Sequence, residues 1–332
     1  MNVVDALRLP GLESALGRVE ESLRAATTGE DPLLAEVAGH LVRAGGKRLR
    51  PALVVAAARV GCPGSACISE AVVQGGVAVE LVHLGSLYHD DVMDEARSRR
   101  GVESANSRWG NLVAILAGDF LLARASEIAA SLGTEVAALL ARTIGQLCEG
   151  EVAQLRHAFD PGRSEEAYFA SIGGKTASLM AAAARIGALT GGAPREHVEA
   201  LTSYGYSIGI AFQIWDDVRD LVSDEAELGK PAGHDLVEGT YTLPVIRALA
   251  VPGVGDDLKS VLGGPLDPAG RDRARQLVLS TSAVESSVRT ARAWADRAEA
   301  SLEPLSGAAG DSAELALLGR VGHHLLDELA TQ

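Results

Sequence analysis

The stretch HLGSLYHDDVMD, residues 83–94, decides the reading of this chain, and AFQIWDDVRD, residues 211–220, repeats its ending. Each closes on Asp-Asp-x-x-Asp: Asp90, Asp91 and Asp94 in the first, Asp216, Asp217 and Asp220 in the second. Both lie in long apolar segments rich in Ala and Leu that read as helix. On a helix of about 3.6 residues per turn, the first and last Asp of each set share one face, and the middle one points roughly 100° away. Carboxylates stacked this way repel unless a cation sits between them. Hard oxygen ligands at this spacing suit Mg²⁺, which keeps several waters and bridges to substrate phosphates. Two such sets facing each other would hold a diphosphate through shared metals.

Composition agrees with an all-α protein. The chain has 332 residues, 47% of them hydrophobic but only 4% aromatic, so Ala, Leu, Val and Ile must build the core. That favours close-packed helices over a β-sandwich. No Ser/Pro-rich linker, charge block or solenoid repeat divides the chain, so a single all-α domain over residues 1–332 is expected. A formal net charge of −14 argues against a nucleic-acid partner. It also requires local Lys, Arg and metal to draw in any polyanionic substrate. Cys62, Cys67 and Cys148 have no metal-ligand spacing with nearby histidines and read as structural thiols of a reducing compartment. The opening MNVVDALRLPGLESALGRVEESL has no basic segment followed by an apolar core, and no run approaches the ~18 apolar residues of a membrane span. The expectation is a soluble, cytoplasmic protein with no stable membrane anchor.

Periodicity places helices at 11–28, 32–44 (stopped by Gly45-Gly46), 51–60, 69–94, 111–131, 134–157, 165–190, 195–221, 271–280, 282–304 and 312–329. Gly- and Pro-rich stretches at 229–233 and 252–270 read as loops. None of these segments shows sustained period-2 alternation.

Basic residues supply the complementary chemistry. GGKRLRP, residues 45–51, places three cations in a loop that enters a helix, and glycines, exposed amides and cations together suit a phosphate. Arg99-Arg100-Gly101 follows the first acidic set closely enough to share its ligand. Gly173-Gly174-Lys175-Thr176 interrupts an apolar helix, where a Lys has little structural purpose unless it reaches an anion. The spacing of a nucleotide-hydrolase phosphate loop is absent. His83 stands two turns before Asp90 on roughly the same face. Alone, each feature has a bland reading: a solvated acidic face, a solvated loop, a charge pair at a helix C-terminus, a satisfied core histidine. Their joint occurrence in apolar helices is what points to function.

With those residues in view, GGKRLRP, ELVHLGSLYHDDVMDEARSRRG, GGKTASL, AFQIWDDVRD and LGKPAGHDLVEGTYTLP together resemble the trans-isoprenyl diphosphate synthases, the polyprenyl synthetase family. The motifs occur in the family's order across residues 45–244. The resemblance implies an isoprenoid synthase-type bundle of antiparallel helices around a deep central cavity, assembled as a homodimer. It implies head-to-tail condensation of isopentenyl diphosphate onto an allylic diphosphate, with release of diphosphate. Isopentenyl diphosphate would fall to Lys47, Arg50, His83 and Arg100, and the allylic diphosphate to Arg99, Lys175, Thr176, Gln213 and Lys230. Asp90, Asp94 and Asp216 would be Mg²⁺ ligands, supported by Asp91, Asp217 and Asp220, with Asp235 behind them. About three Mg²⁺ per active site are implied, completed by substrate phosphates and water. One departure stands out: Thr240 follows Glu238-Gly239 where the family usually has Lys, which removes a cation near the allylic diphosphate.

The charges then set the mechanism. As the allylic C–O bond breaks, negative charge collects on diphosphate, where cations stabilise it without a protein nucleophile. An apolar cavity keeps water from the carbocation. Small residues before the first acidic set, Gly85, Ser86 and Val82, leave room for a growing chain, so an all-trans polyprenyl product is expected rather than farnesyl diphosphate. A class I terpene cyclase, a non-catalytic subunit of a heteromeric synthase and a plain helical scaffold are the alternatives. The second complete acidic set and the GGKRLRP loop oppose the first, the nearly whole site opposes the second, and paired acids in apolar helices oppose the third.

Overall fold

The computed structural model describes residues 9–61, 68–223, 232–306 and 313–330. It resolves into two compact units, each discontinuous in sequence. Unit 1 holds residues up to Ile144 together with Leu179–Gly205 and Ser301–Gly319, and unit 2 holds Gly145–Ser178, Tyr206–Ala300 and the residues from Arg320. Chain order runs α1 Leu12–Ala26, α2 Pro32–Ala38, α3 His40–Arg43, α4 Leu49–Gly61, α5 Glu70–Met93, β1 Ser98–Arg99, β2 Val102–Glu103, α6 Ala105–Trp109, α7 Asn111–Ser131 and α8 Thr134–Leu155. It continues with α9 Glu165–Ile172, a π-helical turn Gly173–Ala177, α10 Ser178–Thr190, α11 Arg195–Val222, α12 His234–Val237, α13 Leu243–Leu249, α14 Val254–Val261, α15 Pro268–Leu279, α16 Ala283–Ala300, α17 Glu303–Ser306 and α18 Ala313–Ala330.

Unit 1 is organised by α5. Ser69 caps it, its hydroxyl accepting from the Val72 amide at 3.3 Å. Its side chains are apolar nearly all round, and α7, α4 and α1 pack against it, as expected of a fully buried helix. By length and composition α5 could cross a membrane, but 72% of its most apolar window is buried in the protein, which marks a core helix. Small residues set the closest seams. A Cβ on Gly187 of α10 would fall closer than 3.0 Å to several backbone atoms of Val54 in α4, so glycine is what lets the two backbones meet.

Unit 2 packs α13, α14, α15 and the end of α11 around Leu221, Leu236, Tyr241, Val245, Leu258 and Val278. Ser164 caps α9 through the Ala167 amide at 3.1 Å. Here the observed elements depart from the expected ones. The stretch 252–270, read as loop from its glycines and prolines, contains α14, with Leu258 buried. The expected helix over 165–190 is split by the π-helical turn at Gly173–Ala177.

Unit 1 also holds the only strands among the described residues, a two-residue ladder pairing Ser98 with Glu103 and Arg99 with Val102. Arg100 (φ 54°) and Gly101 (φ 76°) form its turn. Positive φ at both central residues is the type I′ pattern whose twist suits a hairpin.

Candidate active site

In unit 1 the first acidic set closes α5. Asp90 is half-buried, Asp91 is fully buried, and Asp94 is exposed at the helix C-cap, its amide bonded to the Asp90 carbonyl at 2.8 Å. Arg99, carried by the hairpin, donates from Nε to Asp91 Oδ1 at 2.7 Å. Burial pushes the Asp91 carboxyl above the usual range, and Arg99 opposes that shift. Its other oxygen, Oδ2, is buried with no protein hydrogen bond.

The loop before α4 sorts its three cations. Lys47 is exposed. Arg48, at φ 49°, turns inward and is consumed by acids: Glu20 takes it at 2.8 and 3.1 Å, and Glu80 takes it at 2.8 Å. Arg50 is half-buried, and its Nε has no protein partner. Arg100 lies over the loop, donating to the Gly45 carbonyl. A Cβ on Gly46 would stand 2.7 Å from the flexible end of Arg100, and the φ of 155° at this position is one that residues with a Cβ rarely adopt. His83 faces this cluster. Burial, reinforced by Arg50, Arg100, Arg48 and Arg99, holds its imidazole well below the usual range and therefore neutral at pH 7.

Tyr88 points away toward α2, its hydroxyl donating to the Val37 carbonyl. The structure corrects the expectation for Gly85. A Cβ there would lie 3.1 Å from the Gly118 carbonyl oxygen and 3.2 Å from Leu122, so Gly85 faces α7 and not open space. A Phe at 85 would break the α5–α7 seam and says nothing about product length. Ser86 is half-buried and Val82 buried.

In unit 2 the second acidic set lies near the end of α11. Asp216 is exposed, while Asp217 and Asp220 are buried. Asp217 Oδ2 accepts from the Tyr168 hydroxyl at 2.5 Å, and Oδ1 accepts from Gln213 Nε2 at 2.8 Å. Thr176 donates in turn to Gln213 Oε1 at 2.6 Å. Thr176 and Gln213, expected at the allylic diphosphate, thus form a chain of hydrogen bonds that ends on Asp217. Burial, with Asp216 alongside, pushes the Asp217 carboxyl up to about 7 against the pull of these donors. Arg163 braces the network: it donates to the Tyr241 carbonyl at 3.1 Å and to Ser171 at 2.9 Å, with its guanidinium 5.6 Å from the centre of the Tyr168 ring.

Asp220 Oδ2 accepts the Asp235 amide at 3.2 Å, which ties α11 to α12. Asp235 in turn accepts the Thr240 amide through its carbonyl at 2.8 Å. Lys175 rides on the π-helical turn, its Nζ 2.6 Å from Glu151 of α8. Lys230 lies outside the described residues, as do Cys62 and Cys67.

Among the described residues, no three His, Cys, Asp or Glu side chains converge into a ready-made metal cage. The donors nonetheless fit Mg²⁺. In each unit they are carboxylate oxygens: unit 1 has exposed Asp94 and the buried Oδ2 of Asp91, which lacks a protein donor, and unit 2 has exposed Asp216. Mg²⁺ is held by one or two carboxylates plus substrate phosphates and water, not by all-protein cages.

Comparison with known proteins identifies the family. Residues 31–277 match the polyprenyl synthetase family model. The chain is 41% identical over 279 residues to a nonaprenyl diphosphate synthase of Mycobacterium tuberculosis, covering 84% of this chain and 82% of that protein. It is 39% identical over 309 residues to heptaprenyl diphosphate synthase component 2 of Geobacillus stearothermophilus, covering 92% and 95% respectively. A crystal structure of a polyprenyl synthase from Caulobacter crescentus, complexed with calcium and isoprenyl diphosphate, superposes with a TM-score of 0.89 at 33% identity, covering 97% of each chain. The chain belongs to the polyprenyl synthetase family, with that family's all-helical fold.

The neutral state of His83 has a measurable consequence. The unfolded chain binds a proton at His83 near its ordinary value, about 6.5, and the folded chain does not. This contribution to stability is therefore full above that pH and is lost as pH falls. Relative to His83→Gln, the wild type should lose stability below pH ~6.5 with a slope approaching about 1.4 kcal/mol per pH unit. Urea unfolding of both proteins between pH 5 and 7 checks it, and parallel curves would refute it.

Proposed function

We propose that this chain uses Mg²⁺ to condense isopentenyl diphosphate head-to-tail onto an allylic diphosphate, building an all-trans polyprenyl diphosphate. Its activity is that of a trans-prenyltransferase that makes polyprenyl diphosphates. The observation that carries the finer reading is the sorting of charge within unit 1. Arg48 is fully consumed by internal acids, while Arg50 keeps an unpartnered Nε beside neutral His83. Such a cluster suits one diphosphate, with Lys47, Arg50, His83 and Arg100 as its binding set.

Within unit 1, Asp90 and Asp94 would offer carboxylates to Mg²⁺ with Asp91 beside them; within unit 2, Asp216 would do so with Asp217 and Asp220 beside it. Bound Mg²⁺ supplies charge stabilisation to the leaving diphosphate. In unit 2 Lys175 would supply a cation to a diphosphate, and in unit 1 Arg99 would do so once a diphosphate competes with Asp91 for it. Lys230, outside the described residues, is the remaining cation expected for the allylic diphosphate. Ser86 and Val82 set the room for the growing chain.

We also read the protein as cytoplasmic and as a homodimer. Support for the dimer comes from α7, which exposes Leu112 (73%), Ile115 (40%) and Leu116 (53%) at i, i+3 and i+4. Such a stripe on an otherwise apolar helix suits a second copy of the chain.

The primary test incubates purified protein with Mg²⁺, isopentenyl diphosphate and an allylic primer, then sizes the products. A ladder ending beyond geranylgeranyl diphosphate is expected. A stop at farnesyl would overturn the length reading. No product from folded, dimeric protein would point to a missing partner component.

Tyr168→Phe should weaken apparent Mg²⁺ affinity or turnover about 10- to 100-fold, the usual effect of losing a group that orients a ligand. A Mg²⁺ titration at saturating substrates reads it, and an unchanged titration would remove Tyr168 from the site. For the dimer, Leu112→Asp with Leu116→Asp should give a monomer by sedimentation at micromolar protein. A dimer that survives both changes would place the interface elsewhere.

A further inference from the structure

Glu80 is only 2% exposed and sits three residues before His83 on α5, which puts the two on one face. Its Oε1 takes Arg48 Nη1 at 2.8 Å and lies 3.9 Å from Arg100 Nη2. It is also a favourable charge for Arg50. One buried carboxylate therefore touches or faces three of the arginines gathered around His83. Two of them, Arg48 (φ 49°) and Arg100 (φ 54°), hold left-handed backbone conformations, which persist only where surrounding contacts fix them. Glu20 lies at the outer side of Arg48 and is bound to it through both oxygens, so Arg48 is clamped from two directions.

We infer that Glu80 is a positioning residue for the isopentenyl diphosphate: it locks Arg48 inward and orients Arg100, leaving Arg50 and Arg100 to grip the anion. This rests on the assignment of Arg50 and Arg100 to that substrate. A plain charge argument predicts the opposite behaviour. Removing a carboxylate beside an anion site relieves repulsion and should tighten binding. Positioning predicts weaker binding, because Arg48, freed from one acid, no longer holds the loop and Arg100 turns toward it. The sign of the change separates the two.

The experiment is calorimetric titration of isopentenyl diphosphate into wild type, Glu80→Gln and Arg50→Gln, without metal or allylic substrate. Wild type should bind, and Arg50→Gln should abolish or strongly weaken binding. If wild type fails to bind, or Arg50→Gln binds like wild type, the substrate assignment itself falls. Glu80→Gln should bind about tenfold more weakly, the cost of one well-placed charge-assisted contact. In steady state its KM for isopentenyl diphosphate should rise with kcat and the allylic KM unchanged. Equal or tighter binding by folded Glu80→Gln overturns the inference, since a merely structural carboxylate would lower the melting temperature and leave affinity intact. Should Glu80→Gln fail to fold, Arg48→Lys keeps the charge but loses the two-sided fork. It should weaken isopentenyl diphosphate binding in the same sense, and an unaltered affinity there also refutes the proposal.

Discussion

Like charges crowded at the C-terminal end of a buried helix repel one another and also face the negative end of the helix dipole. Both acidic sets are in that unfavourable position, at the end of α5 and near the end of α11. The surrounding structure resolves the conflict one carboxylate at a time. Asp91 is buried and takes an arginine, Asp217 is buried and takes a phenol and an amide, and Asp220 accepts a backbone amide. Asp94 and Asp216 are left at the surface. The buried members are met by internal donors, and the exposed ones lie where a ligand from outside could reach them. A carboxylate placed against a helix dipole lowers stability in the apo protein, and a bound cation reverses that penalty, so the same placement that weakens the fold favours the metal.

The basic half of unit 1 follows the same rule with signs reversed. Three cations in four residues, Lys47, Arg48 and Arg50, cannot all aim at one ligand. The loop gives each a different fate: solvent, two internal acids, and a half-buried site beside His83. Burying Arg48 is tolerable only because Glu20 and Glu80 meet it with close, directional contacts, since an uncompensated buried charge would be strongly destabilising. Neutral His83 follows first from burial and then from the same crowding, for a further positive charge among these arginines would be opposed by all of them.

Much of this was legible in the residues. The acidic sets, the basic loop and the helical periodicity each have a local spacing, and spacing is what a sequence displays directly. The hairpin was not, because two-residue strands have no alternation to read. Its sole local signal is Arg100-Gly101, a pair able to take the turn's positive φ angles. Tyr168, Arg163, Glu151 and Glu80 were also missed as partners of the site. Each acts across a distance in sequence, such as the 49 residues between Tyr168 and Asp217, and a lone Tyr or Glu in an apolar helix carries no mark of its partner. Gly85 failed for a related reason. Its position relative to Asp90 is fixed by the helix, but which neighbour that face meets is decided by α7.

The π-helical turn shows how backbone shape places side chains in unit 2. A π turn inserts one extra residue and shifts the side chains after it around the helix axis, and such turns concentrate at functional positions. Here it carries Lys175 and Thr176 together. Two glycines hold it in register with α8. A Cβ on Gly174 would stand 2.7 Å from the Gln146 carbonyl oxygen, and one on Gly150 would collide with the backbone of Gly174 and Lys175. The contact is thus backbone on backbone, with no side chain between to yield. Glu151 follows Gly150 directly, so the glycine that admits the π turn also delivers the carboxylate that meets Lys175 at 2.6 Å. Lys175 is therefore held in place by an acid. The proposed diphosphate, carrying more charge than one carboxylate, would displace that acid on arrival.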